Sequence, residues 1–174
     1  ATRPPAATTG TTTGATAGRV IRLDGAPPFT PPTGLAGTAS DWLLAGFLAA
    51  PQGLRLQGRA LVDDTLAVRR GDLRLALDRS GFGLATAYAW AAADAAESRP
   101  VALSEAVLDG RVRLAANWVA RASGRYDFTA DRPRAAAVAI EFRNECLRLD
   151  LSLTRSFTAA SSVGESTNIG LAVD

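Results

Sequence analysis

The chain contains no lysine, no histidine and no methionine, and only one cysteine, Cys146. Without histidine there is no imidazole base for a serine or cysteine nucleophile, and no imidazole ligand for a metal. One cysteine among scattered carboxylates does not make a zinc site. The pairs Asp63-Asp64 and Asp127 with Asp131 lack the spaced oxygen ligands of a calcium loop and read as turn residues. No glycine-rich loop sits between a strand and a helix to cradle phosphate. These absences argue against an enzyme, and no cofactor or metal is expected. No run reaches the ~18 apolar residues of a transmembrane helix. All 19 basic residues are arginine, a bias that high-GC coding produces, and a net charge of +2 with the signs interspersed gives no basic patch for nucleic acid. The lone cysteine leaves two readings, an inert thiol at a strand end or half of a disulfide to something outside these residues. The missing initiator methionine points to a processed chain or a fragment, and no signal peptide is visible.

What the sequence does have is alternation. The 47% hydrophobic content is spread thinly along two-faced segments. In the stretch from Cys146 to Phe157, Leu147, Leu149, Leu151, Leu153 and Phe157 share one face with Arg155 as its interruption. Arg148, Asp150, Ser152, Thr154 and Ser156 share the other, led by Cys146. A period of two predicts a strand, because successive side chains in a strand point to opposite sides. A turn over 159–166 then leads to Thr167, Ile169, Leu171 and Val173, which alternate with Asn168, Gly170 and Ala172. Upstream, the same period recurs from Asp41 to Phe142, with turns at Pro51-Gln52-Gly53, Asp63-Asp64, Ser80-Gly81, Ala115-Ala116 and Asp131-Arg132-Pro133. Residues 1–18, rich in Thr, Ala, Gly and Pro, read as an irregular tail or loop. Residues 19–23 suit the end of a strand, and the proline-rich 24–40 reads as a long loop. The expectation is all-β: an up-and-down antiparallel meander of about ten strands over 19–174.

Two architectures produce such a meander. A soluble sandwich or small barrel turns its apolar side inward, whereas a transmembrane barrel turns it to lipid. The predicted strands approach the ~9–11 residues that cross a bilayer at a tilt. The aromatic residues sit near strand ends. Trp118 opens its strand while Tyr126 and Phe128 close it, roughly 26 Å away at ~3.3 Å per residue, and Tyr88 and Trp90 close theirs. That spacing is close to the ~25 Å apolar band between aromatic girdles of outer-membrane barrels. The opposite face carries Arg111, Arg113, Arg121, Arg125, Arg148 and Asp150, which suits a watery lumen, with Glu105, Asp109 and Asp127 as charge partners.

The closing stretch Asn144-Glu-Cys-Leu-Arg-Leu-Asp-Leu-Ser-Leu-Thr-Arg-Ser-Phe-Thr, then Ser161-Ser162-Val163, Ser166-Thr167 and Ile169-Gly170-Leu171, resembles the C-terminal end of the LptD family. These are outer-membrane LPS-assembly proteins, and the likeness is to their alphaproteobacterial members. Gly37-Thr38-Ala39-Ser40-Asp41-Trp42, Asp63-Asp64, Ser104-Glu105 and Gly124-Arg125-Tyr126-Asp127 fit the same family's barrel, so the likeness covers roughly 18–174.

The resemblance implies transport of lipopolysaccharide in a Gram-negative outer membrane. It implies a very large barrel, of which this chain is the C-terminal portion, with a lateral gate between first and last strands. Thr167, Asn168, Ile169, Gly170, Leu171, Ala172 and Val173 would be one lip of that gate. The implied partners are the plug lipoprotein LptE and an LptA-like periplasmic bridge, reached through an N-terminal domain outside this chain. Cys146 matches the family's C-terminal cysteine, which bonds to that domain; the adjacent second cysteine common in the family is Leu147 here. The alternative is an independent small β-barrel, in a membrane or in solution, acting as a binding or structural module.

Overall fold

The computed structural model describes residues 10–24, 34–35, 38–157 and 165–174. They form one sheet of ten antiparallel strands in strict sequence order. These are β1 (Thr12–Gly18), β2 (Trp42–Ala49), β3 (Leu54–Val62), β4 (Val68–Arg79), β5 (Phe82–Ala91), β6 (Leu103–Ala115), β7 (Trp118–Asp127), β8 (Arg132–Arg143), β9 (Arg148–Ser156) and β10 (Ser166–Val173). A 3-10 turn, Ala95–Glu97, lies between β5 and β6, with the Asp94 carboxylate accepting from the Ala96 and Glu97 N–H groups. The all-β meander expected from alternation is therefore present. The sheet is open: β1 and β10 each pair on one side only.

Register keeps the two faces separate across the whole sheet. Trp118 stands opposite Phe142, Phe142 opposite Leu149, and Leu149 opposite Val173. Two residues along, Ala120, Ile140, Leu151 and Leu171 form the next row, and Ala122, Val138, Leu153 and Ile169 the third. Gly124, Ala136, Arg155 and Thr167 make the fourth. A slip of one residue would exchange the faces, so this continuity fixes the register of every strand.

Several elements differ from their sequence expectation. Residues 12–18 are a strand and not part of a tail: three β-branched threonines among glycines and alanines pair with Leu43–Ala49 of β2. Residues 1–9 lie outside the described residues. Ile21 makes only an isolated bridge to Ala39, so 19–23 is not a strand. Pro133 lies inside β8, at a register shift where its missing N–H is tolerated, and the turn is 128–131. The β6–β7 turn is 116–117, one residue later than expected. Cys146 does not lead β9. Asn144 accepts hydrogen bonds from the Cys146 and Leu147 N–H groups at 2.9 and 2.7 Å, holding both residues in the turn before the strand. Most of the expected loops at 24–40 and 159–166 lies outside the described residues.

Candidate functional site

The sheet has almost no hydrophobic core. Only Val62 and Ala91 are buried apolar residues among those described. The larger apolar side chains stay open instead: Leu151 is 45%, Val138 53% and Ile169 77% exposed. A monomer in water rarely shows contiguous apolar patches beyond a few hundred Å². Here the apolar face runs from β2 to β10 with no second layer of described residues over it.

The ends of this face differ from its middle. At one end Trp118 packs on Phe142 with ring centroids 4.9 Å apart. At the other, Phe128 meets Tyr126 at 5.0 Å and Tyr88 at 6.2 Å. The phenol of Tyr88 shares a 2.9 Å hydrogen bond with the Ser104 hydroxyl, and Tyr126 donates to Asp131 at 2.8 Å. Trp42 lies at the same end with the Arg19 guanidinium 5.1 Å over its ring. Expected aromatics Tyr88, Trp90, Trp118 and Tyr126 are thus on the apolar face near strand ends; Phe128 lies one residue past β7 and joins its cluster from the turn. An apolar body with a polar tip suits a boundary between apolar and wet surroundings.

The connections are equally unequal. At the Trp118 end they are 50–53, 80–81, 116–117 and 144–147, none longer than four residues. At the other end they are 19–41, 63–67, 92–102, 128–131 and 157–165, reaching 23 residues. Cys146, exposed and free, lies at the short-turn end. So does Asp174, which exchanges 2.9 Å backbone hydrogen bonds with Arg148.

From β4 to β9 the opposite face is mostly polar and joined across strands by ion pairs, whereas on β2 it carries the exposed Leu43 and Phe47. Arg111, Arg113, Arg121, Arg125, Arg148 and Asp150 all fall on it. Their charge partners are not those expected from sequence. Arg111 reaches over β5 to Asp78 at 2.8 Å, a path that Gly83 leaves open, since a Cβ there would lie 2.5 Å from the arginine Nε. Arg121 pairs with Glu141 and lies 3.9 Å from Asp150, and Arg148 is 3.6 Å from Glu141. Glu105 and Asp127 serve Arg134, at 3.8 and 2.6 Å. Arg113 and Arg125 have no ion pair among the described residues. Asp127 and Glu141 are only 4% and 8% exposed, so their arginines compensate carboxylates taken out of water. Alternation alone does not place Arg134, because it is the extra residue of the β8 bulge.

The lateral edge at β10 is barer than the strand beside it. Ile169, Leu171 and Val173 are more exposed than Leu151 and Leu153 on β9, which have neighbours on both sides. Gly170 faces Ser152, and a Cβ there would sit 2.7 Å from the serine Oγ. Among the described residues no group of histidine, cysteine or carboxylate side chains could hold a metal, and no helix is long and apolar enough to cross a membrane. No protein-family model and no curated protein sequence matches the chain.

Proposed function

We propose that this chain is part of the outer-membrane translocon that inserts lipopolysaccharide into the outer leaflet, as its resemblance to the LptD family implies. The observation that carries the membrane part is the wide, uncovered apolar face bounded by two aromatic clusters. A bilayer covers such a face, and the arginine-rich face then lines an aqueous lumen. The unequal connections support an orientation, because outer-membrane barrels have short periplasmic turns and longer extracellular loops. On that orientation Cys146 and Asp174 are periplasmic. An exposed thiol there is suitably located for a disulfide to a periplasmic N-terminal domain.

The open edges support a wall segment over a self-contained small barrel, since β1 and β10 do not pair with each other. In this reading 167–173 is one lip of a lateral gate. An amphipathic lipid leaving a polar lumen for a leaflet needs a seam whose hydrogen bonds part, and an edge strand provides it. The lumen takes the plug lipoprotein LptE, and the N-terminal domain that the family resemblance implies meets an LptA-like bridge. The test is depletion of the protein with surface lipopolysaccharide as readout, beside its mobility on gels with and without reductant. The reading predicts less surface lipopolysaccharide and a mobility shift that Cys146→Ser abolishes. Unchanged surface lipopolysaccharide overturns the transport assignment, and a water-soluble species of 18.0 kDa overturns the barrel.

A further inference from the structure

Strand β2 is hydrophobic on both faces. Apart from Gly46, every residue of Trp42–Ala49 is apolar or aromatic. Trp42, Leu44 and Leu48 belong to the apolar face of the sheet, and Leu43, Ala45, Phe47 and Ala49 to the polar one. A strand that is hydrophobic on both sides is ordinarily covered on both sides. Yet Phe47 is 50% exposed, and no second layer of described residues lies over it. Around it is a trough of about 340 Å³ lined by Gly14, Thr16, Phe47, Arg55, Gln57 and Arg59. Gly14 keeps one side low: a Cβ there would collide with the Phe47 ring, which lies over β1 at this glycine. Strand β3 supplies charge to the other side, with Arg55 opposite Ala49, Gln57 opposite Phe47 and Arg59 opposite Ala45. Arg55 has no ion pair among the described residues, and Arg59 and Arg74 share one carboxylate, Asp72. An open aromatic ring thus lies beside a surplus of guanidinium.

We infer that this trough docks an acidic segment of another polypeptide. An apolar side chain of the segment rests on Phe47, and its carboxylates meet Arg55 and Arg59. Aromatic residues and arginine are the side chains that most often anchor such interfaces, and a guanidinium fork matches a carboxylate in both bonds. Charge selects the occupant. Residues 25–33 of this chain have no charged side chain and would leave Arg55 unpaired. A second copy presenting the same face would set arginine against arginine. The inference goes beyond the translocon reading, since it depends on the polar face alone and not on what covers the apolar one.

The test uses the full-length protein in detergent micelles and two fluorescein-labelled octapeptides. Each has two leucines among six charged residues, aspartate and glutamate in one and lysine in the other. Fluorescence anisotropy at low salt reads binding, with empty micelles as the blank. The expected result is saturable binding of the acidic peptide, weakened about fivefold or more in Phe47→Ala and likewise in Arg55→Gln, as for anchor residues of an interface. The lysine peptide, and an acidic peptide with alanine in place of leucine, bind at least about tenfold more weakly. Absence of saturable binding, equal binding of the acidic and lysine peptides, or acidic binding unchanged in both variants overturns the docking site. Binding that appears only after deletion of residues 25–33 assigns the trough to the chain's own loop and overturns it as well. The translocon reading stands or falls separately, on surface lipopolysaccharide.

Discussion

Placing a charge at Val138 separates a lipid-facing wall from a solvated one. Val138 is in the third row of the apolar face, two rows from Trp118 and Phe142, so about 13 Å from that aromatic cluster along the strand. This is the middle of the apolar band. In a bilayer an outward arginine at mid-depth costs ~2–4 kcal/mol, falling to ~0–1 near the interfaces. In water the same change at a side chain 53% exposed lies within about 0.5 kcal/mol of neutral. Val138→Arg is therefore expected to lose about 3 kcal/mol in lipid vesicles. Val173→Arg, in the first row, loses at most ~1 kcal/mol. Thr154→Arg, on the polar face at the depth of Val138, changes stability by no more than about 0.5 kcal/mol. Equilibrium unfolding by denaturant reads the series: with a slope of about 3 kcal/mol/M, the Val138 variant shifts its midpoint by ~1 M. Equal small effects at all three positions would refute the argument that lipid covers this face.

Three further outcomes follow from local geometry. Gly83→Ala displaces Arg111 from Asp78 and costs no more than ~1 kcal/mol, because both partners are exposed. A double-mutant cycle with Asp78→Asn should be non-additive, and strict additivity would contradict the bridge over β5. Gly53→Ala costs more than about 1 kcal/mol, since φ there is +82° and a Cβ meets the Asp78 carbonyl, whereas Gly18→Ala, with open space around it, is nearly neutral. Asp63, in the β3–β4 loop, has its carboxyl held below the usual aspartate value, first by the Thr65 hydroxyl and next by the Ala67 N–H. A depressed value stabilises the folded loop in full above the ordinary pKa of 3.8 and loses that contribution as pH falls through the lower folded value. Amide exchange at Thr65 and Ala67, corrected for intrinsic rates, should therefore stay protected at about pH 5 and lose protection only below the ordinary aspartate range; loss between about pH 5 and 7 would contradict this.

Much of the architecture was legible because period two is a direct record of a sheet with unlike faces. Leu147 to Phe157 indicated a strand, and the regular turns indicated a meander. What escaped was set by pairing partners. β1 has threonines and small residues with no apolar stripe, and its identity as a strand comes from Leu43–Ala49 beside it. Ion-pair partners were misassigned because Arg111 bonds two strands away across a glycine, and because a bulge shifts Arg134 to the polar side. Cys146 was assigned to a strand because alternation continues through Leu147, yet Asn144 captures both N–H groups and makes a turn.

The most direct measurement of the central claim is accessibility along β9 in lipid vesicles. Nitroxide labels are placed singly from 149 to 154 in a Cys146→Ser background, and collision with oxygen is compared with collision with a water-soluble paramagnetic complex. The account predicts period-two alternation: positions 149, 151 and 153 favour oxygen, as lipid-facing sites do, while 150, 152 and 154 favour the aqueous reagent. Aqueous collision at the odd positions equal to that at the even ones would contradict it, because the apolar face would then be in water.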